Sequence, residues 1–243
     1  MSSPVEIDSG LDPKALAQAF GERKRLRIQP FLVPRSAELL RSHLEGATDW
    51  RHVIKGEENV FEASADAMET MAAQARHTLE EAIYREAGHA FRFRYDTIRV
   101  PDSPAQRQDL ATPLARFAQF MASPPTLEFF RQVTGNDDIC FADAQATRYR
   151  RGDFLTRHDD SVGGKDRSHA FVLGLTPQWR PEWGGLLLFN GADGGVADAH
   201  APTFNALDLF AVGQPHSVSF VAPYAASARI SITGWLRTKR PDQ

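Results

Sequence analysis

The chain has 243 residues, 42% of them hydrophobic, enough to bury a sizeable core in one large domain or two small ones. A formal net charge of −3 argues against a broad nucleic-acid or anionic-membrane surface, and no apolar run reaches membrane-spanning length. The single cysteine, Cys140, excludes an intrachain disulfide and any multi-cysteine metal or redox motif, so a reducing, cytoplasmic setting is expected.

The opening stretch "MSSPVEIDSGLDPKAL" has neither the basic nor the apolar region of a secretory signal. Asp12 before Pro13 predicts a helix start, with Leu16, Ala19 and Phe20 following at helical spacing. The basic run "GERKRLRIQP" reads as a solvated helix exit, with a short strand at 26–28, then a helix at 35–45 stopped by Gly46. The longest helical signal runs from 64 to 88: Ser64 is placed to cap it, Met68, Met71, Ala72, Ala75, Leu79, Ala82 and Ile83 form one apolar stripe, and Gly88 ends it. "FRFRYD" alternates Phe91, Phe93 and Tyr95 against Arg92, Arg94 and Asp96, the pattern of a half-buried strand. Two more helices are predicted in "LATPLARFAQFMAS" and "PPTLEFFRQVTG", the second closing at Gly135.

Beyond Gly135 the pattern changes to about seven short strands punctuated by Gly and Pro, the signature of a β-sandwich or small barrel. Within it "FNGADGGVADAH" reads as a loop, and its aspartates lack the spacing of a calcium loop. Helices first and strands second predict an α+β fold, a β core with the N-terminal helices packed on one sheet. It is read as a single domain over 1–243, with 1–135 as helical support and first strands and 136–240 as the core.

The stretch "TRHDDSVGG" sets an imidazole and two carboxylates side by side, poor core material unless it holds something positive. His158 and Asp160 are two apart, so a strand would point both to one face, and His216 opens the later strand "HSVSFV". Two neutral imidazoles and one carboxylate make the facial triad of non-haem Fe(II) oxygenases; zinc accepts such ligands but favours four-coordinate closure. Asp159 falls on the opposite face and suits a turn or a supporting hydrogen bond. In "ARISITGWLR", Arg229, Ser231, Thr233 and Trp235 share one face, with Ile230, Ile232 and Leu236 on the other. A polar barrel interior with an arginine fork suits a dicarboxylate, and a metal triad beside it suits 2-oxoglutarate.

The ordered stretches "YRRGDFLTRHDD", "WGGLLLF", "FNALDLFAVGQPHSVSFV" and "RISITGWL" resemble the prolyl 4-hydroxylase-like branch of the Fe(II)/2-oxoglutarate dioxygenases, in particular the ribosomal-protein prolyl hydroxylases, from about residue 143 to 237. The resemblance implies a double-stranded β-helix (jelly-roll) core, with Fe(II) held by His158, Asp160 and His216, and 2-oxoglutarate and O2 as co-substrates. Ascorbate would support the activity, and a prolyl residue of a protein or peptide would be the substrate. It also implies that Arg229 meets the distal carboxylate, that Tyr149 approaches the 2-oxoglutarate, and that Arg167 and Trp235 lie on the substrate side. Relatives often carry a tyrosine where this chain has Gly174; Ser231, Thr233 or water would supply the missing donor, or the pocket would be roomier. The same chemistry on a free amino acid or metabolite, and a metal-binding sensor without turnover, are the alternatives.

Overall fold

In a computed structural model, which describes residues 5–64, 67–68, 70–161, 163–164 and 166–241, the chain enters through the predicted cap. Asp12 accepts the Lys14 amide hydrogen at 3.0 Å and Pro13 opens α1 (Pro13–Arg23). Strand β1 (Arg25–Ile28) follows, then α2 (Pro34–Glu45), which ends at Gly46 as expected. Two strands that the sequence reading did not foresee come next, β2 (Arg51–Lys55) and β3 (Val60–Ser64), paired as a hairpin closed by the Gly56 amide donating to the Asn59 carbonyl at 2.9 Å. Neither shows the alternation that marks a half-buried strand: β2 buries His52, Val53 and Ile54 in succession, and β3 is largely exposed.

Ser64 is therefore the last residue of a strand and not the cap of a long helix. Its hydroxyl accepts the Ala67 amide hydrogen at 3.2 Å, and the helix, α3, spans only Ala73–Ala87 before Gly88. Residues 65, 66 and 69 of the predicted helix lie outside the described residues. The aromatic alternation forms β4 (Phe93–Arg99). A short helix, α4 (Pro104–Leu110), precedes the two predicted ones, α5 (Pro113–Met121), capped by the Thr112 hydroxyl on the Ala115 amide at 3.1 Å, and α6 (Pro124–Thr134).

The remainder is strands: β5 (Phe141–Ala142), β6 (Gln145–Tyr149), β7 (Phe154–His158), β8 (Arg167–Gly174), β9 (Leu187–Asn190), β10 (Val196–His200), β11 (Ala206–Ala211), β12 (His216–Val218) and β13 (Arg229–Arg237). Strand β10 corrects the expected loop: residues 196–200 pair with β9, because the turn "GADGG" ends early enough to let the chain return along its neighbour. Among the described residues the strands run β1-β11-β8-β13-β6-β4-β7-β12-β9-β10, each pairing antiparallel, with β2 on β4 and β5 on β13. The sheet curls, so that β7 and β12 face β8 and β13 across an interior cavity; this is the expected double-stranded β-helix.

The helices cover one outer face. Phe117 and Phe130 from α5 and α6 meet Phe171, Leu207, Ile232 and Leu236 in the main core, all of them buried. Strand β13 divides as its alternation predicts: Ile232 and Leu236 pack under the helices, while Arg229, Thr233 and Trp235 line the cavity.

Candidate active site

The interior cavity, about 660 Å³, is built around three converging groups. In the β7–β12 pair His158 stands directly opposite His216, and their rings lie 4.1 Å apart centre to centre. Asp160 joins them, but not by strand alternation: β7 ends at His158, and Asp160 takes a left-handed backbone conformation, φ 62°. That turn, and not the pleat, brings Oδ1 to 3.5 Å from His158 Nε2 and Oδ2 to 3.4 Å from His216 Nε2. One donor atom from each of the three residues lies within 4.8 Å of the others.

The far nitrogen of each imidazole is tied to the backbone two residues earlier. His158 Nδ1 lies 3.1 Å from the Thr156 carbonyl, and His216 Nδ1 lies 2.9 Å from that of Gln214. An Nδ1–H donating there leaves the Nε2 lone pairs facing Asp160, the tautomer a metal ligand needs. Burial pushes the Asp160 carboxyl up, but when the imidazoles carry a proton on Nε2 their hydrogen bonds and charge outweigh it and hold the group below the usual carboxylate range; a metal ion would take the place of those protons. Two neutral imidazoles and an ionised carboxylate fit a ferrous ion with coordination positions left for other ligands. Asp159 is exposed and accepts the Ser161 amide hydrogen at 3.0 Å, in keeping with a turn.

A second feature lies deeper. Arg229 is 4% exposed and has no carboxylate at ion-pair distance among the described residues. Its Nη1 donates to the Gly185 carbonyl at 3.0 Å, and the guanidinium sits 5.2 Å from the centre of the Tyr149 ring. Burial lowers its pKa, with Tyr149 and Asp208 opposing. A guanidinium kept dry without a counter-ion costs several kcal/mol, so its place on the cavity wall calls for an anionic ligand.

Between mouth and arginine runs a ladder of rings: Phe91, Phe93, Tyr95 and Tyr149 follow one another at 5.8, 5.2 and 5.2 Å. Phe91, at the exposed end, also meets the His158 ring at 5.3 Å. From the sequence the β4 aromatics show only the alternation of a half-buried strand; they wall the cavity. The signal was the polar partner strand, since β4 pairs with β6, whose Gln145, Thr147 and Tyr149 also line the cavity.

Arg167 stacks on Trp235 with its guanidinium carbon 3.5 Å from the ring centre, and both line the cavity. Arg167 Nε and Trp235 Nε1 are buried without a hydrogen-bond partner. Asp143 accepts the Trp235 amide hydrogen at 2.9 Å, and burial raises its carboxyl to about 6. Thr233 lines the cavity, whereas the buried Ser231 hydroxyl is 2.9 Å from that of Thr147 and forms no part of the lining. Gly174 leaves no extra room: a Cβ there would stand 2.3 Å from the Thr203 carbonyl oxygen, so the loop before β11 already fills the space beside it.

A curled double-stranded β-helix enclosing two histidines, an aspartate and a buried unpaired arginine defines a non-haem Fe(II) oxygenase scaffold. Residues 144–237 match the sequence model of the 2OG-Fe(II) oxygenase superfamily. Prolyl 3-hydroxylase OGFOD1 of Xenopus laevis is 35% identical over 100 residues, covering 38% of this chain; the chain spans 19% of the length of that curated relative. Among solved structures, a Pseudomonas putida prolyl-4-hydroxylase superposes with a TM-score of 0.56 at 22% identity, over 94% of this chain and 100% of that one. A Trichoplax adhaerens prolyl hydroxylase in complex with a hypoxia inducible factor oxygen degradation domain peptide fragment gives 0.58 at 16%, over 93% and 89%. These likenesses establish the fold. Among the described residues no helix is long and apolar enough to cross a membrane.

Proposed function

We propose that the protein is an Fe(II)- and 2-oxoglutarate-dependent hydroxylase acting on a prolyl residue of a protein or peptide. The observation that carries this reading is the pairing, in one cavity, of the His158–Asp160–His216 donor set with the buried, unpaired Arg229. A metal site alone would suit many proteins; a metal site facing a dry guanidinium suits a chelating dicarboxylate.

His158, Asp160 and His216 would hold the iron, which with 2-oxoglutarate and O2 supplies C–H hydroxylation coupled to release of succinate and CO2. The residues of the chain bind and orient. Arg229 receives the distal carboxylate, and the Tyr149 ring beneath the guanidinium limits where the fork can point. Thr233 offers a hydroxyl to the same compartment. The ring ladder from Phe91 to Tyr149 keeps water from that wall. Arg167 Nε and Trp235 Nε1, two buried donors without acceptors, suit a substrate that presents carbonyl oxygens, as a peptide does. A prolyl target is favoured by the named activity of the curated relative. The lone cysteine accords with a reducing cytoplasmic setting, in which ascorbate would keep the iron ferrous.

The test incubates the protein with Fe(II), ascorbate, 2-oxoglutarate and a cell extract, and reads succinate release together with the gain of one oxygen atom at mapped residues. Oxygen gain on protein prolines is expected. Succinate release stimulated by free amino acids or metabolites and by no protein would reject the protein substrate. No turnover of 2-oxoglutarate under any condition would reject the enzyme.

A further inference from the structure

Besides the Tyr149 ring, Arg229 is aimed by backbone. The Gly185 carbonyl that holds its Nη1 belongs to a glycine pair whose members both take left-handed φ, 73° at Gly184 and 63° at Gly185. A Cβ on Gly184 would lie 1.9 Å from the Phe220 carbonyl oxygen, and one on Gly185 would lie 3.1 Å from Trp179 Cζ2 and 3.7 Å from Arg229 Cδ. No side chain fits between the indole and the arginine.

The peptide unit joining the two glycines is fixed at both polar ends. Its carbonyl, that of Gly184, accepts the Trp179 indole N–H at 2.8 Å, and its N–H, that of Gly185, donates to the Ser219 carbonyl at 3.1 Å. Trp179 touches Trp183 edge-on, 5.3 Å between ring centres at 83°, and is held in place by packing against the buried cluster of Tyr149, Val218, Val221 and Ala225. The carbonyl that holds Arg229 Nη1 belongs to the next peptide unit, Gly185–Leu186, whose N–H donates to the Ser219 hydroxyl at 3.0 Å; the two planes meet at the Gly185 Cα, so the indole bond reaches the guanidinium across one glycine.

We propose that Trp179 is a positioning residue for the dicarboxylate co-substrate: by fixing the Gly184–Gly185 peptide plane it restricts the backbone at Gly185, and so the direction of the next carbonyl, which occupies Arg229 Nη1 and leaves the rest of the fork to the cavity. This rests on the reading of Arg229 as the carboxylate-binding group.

Anaerobic calorimetry with 2-oxoglutarate on the Fe(II)-loaded protein, and separately with Fe(II) on the metal-free protein, tests it. Trp179→Phe keeps the ring face and removes the donor; it is expected to weaken 2-oxoglutarate about tenfold, the effect of one lost hydrogen bond to a buried carbonyl, and to leave Fe(II) affinity unchanged. Trp183→Phe removes the neighbouring indole, which makes no bond to the glycine pair, and is expected to change neither affinity. Unchanged 2-oxoglutarate affinity in Trp179→Phe, an equal loss in Trp183→Phe, or an equal loss of Fe(II) affinity would overturn the proposal. Should Trp179→Phe fail to fold, the wild-type indole N–H resonance of Trp179 decides: slow solvent exchange and a shift on adding 2-oxoglutarate support the proposal, and free exchange with no shift overturns it. A wild type that binds Fe(II) but not 2-oxoglutarate would instead remove the reading beneath, and the first titration shows this before any variant is made.

Discussion

The Thr203 carbonyl oxygen lies 2.3 Å from the point where a side chain on Gly174 would begin. Contact that close with backbone cannot be relieved by rotating a side chain. Gly174→Ala is expected to destabilise the protein by about 1–3 kcal/mol, the usual cost of overpacking, and Gly174→Tyr by more. Neither should tighten 2-oxoglutarate binding. Urea denaturation and calorimetry check both halves; a stable Gly174→Tyr with improved affinity would show that the 201–205 loop yields.

The three donor atoms of the proposed metal site converge from β7, the turn after it, and β12, so metal binding there should staple these elements together. A divalent ion at a hundred times its Kd should add about 2.7 kcal/mol to stability. The redox-silent Mn(II) is expected to raise the melting temperature of the wild type and to have no effect on His158→Ala or Asp160→Ala. The rise should shrink in acid, because both imidazoles must be neutral to ligate.

Arg229→Gln should separate the two halves of the cavity. Losing a buried charge-assisted contact costs about 2–5 kcal/mol, so 2-oxoglutarate affinity is expected to fall roughly a hundredfold while Fe(II) affinity holds. Equal losses would mean that the arginine supports the metal centre and not the co-substrate.

Asp143 supplies a pH signature. Burial raises its carboxyl from 3.8 to about 6, so the fold favours the protonated form. The native state then binds more protons than the unfolded chain between those values, and the contribution of this group to stability, full below 3.8, is lost as pH rises through 6. Asp143→Asn, which stays neutral, should therefore gain on the wild type by about 2–3 kcal/mol between pH 4 and 7. Paired denaturation curves across that range check the sign. Carboxylates held down by partners, such as Asp208 with Arg27 and His200, lose their contribution in acid in both proteins and cancel from the difference.

The metal residues and the arginine were legible because chemistry restricts them: few other arrangements explain an imidazole, a carboxylate, a later imidazole and an arginine on alternating strands. The route by which Asp160 arrives was not, because local spacing cannot tell a pleat from a left-handed turn. The β2–β3 hairpin was hidden because β2 is buried on three successive residues and β3 is largely exposed, so neither alternates, and the helix beginning at Ala73 was overextended because the apolar stripe of Met68 and Met71 continues past its real start. The hydrogen bond of Trp179 was not legible at all, since it goes to backbone that no sequence pattern reveals.

The ring ladder has a further consequence for where the catalytic unit begins. Its outer three members, Phe91, Phe93 and Tyr95, precede the segment shared with the superfamily, which starts at residue 144. A fragment cut at that boundary would keep every ligand for iron and the guanidinium as well, yet present them through a missing wall to bulk solvent. The residues that make the chemistry recognisable and the residues that make it practicable come from different halves of the polypeptide.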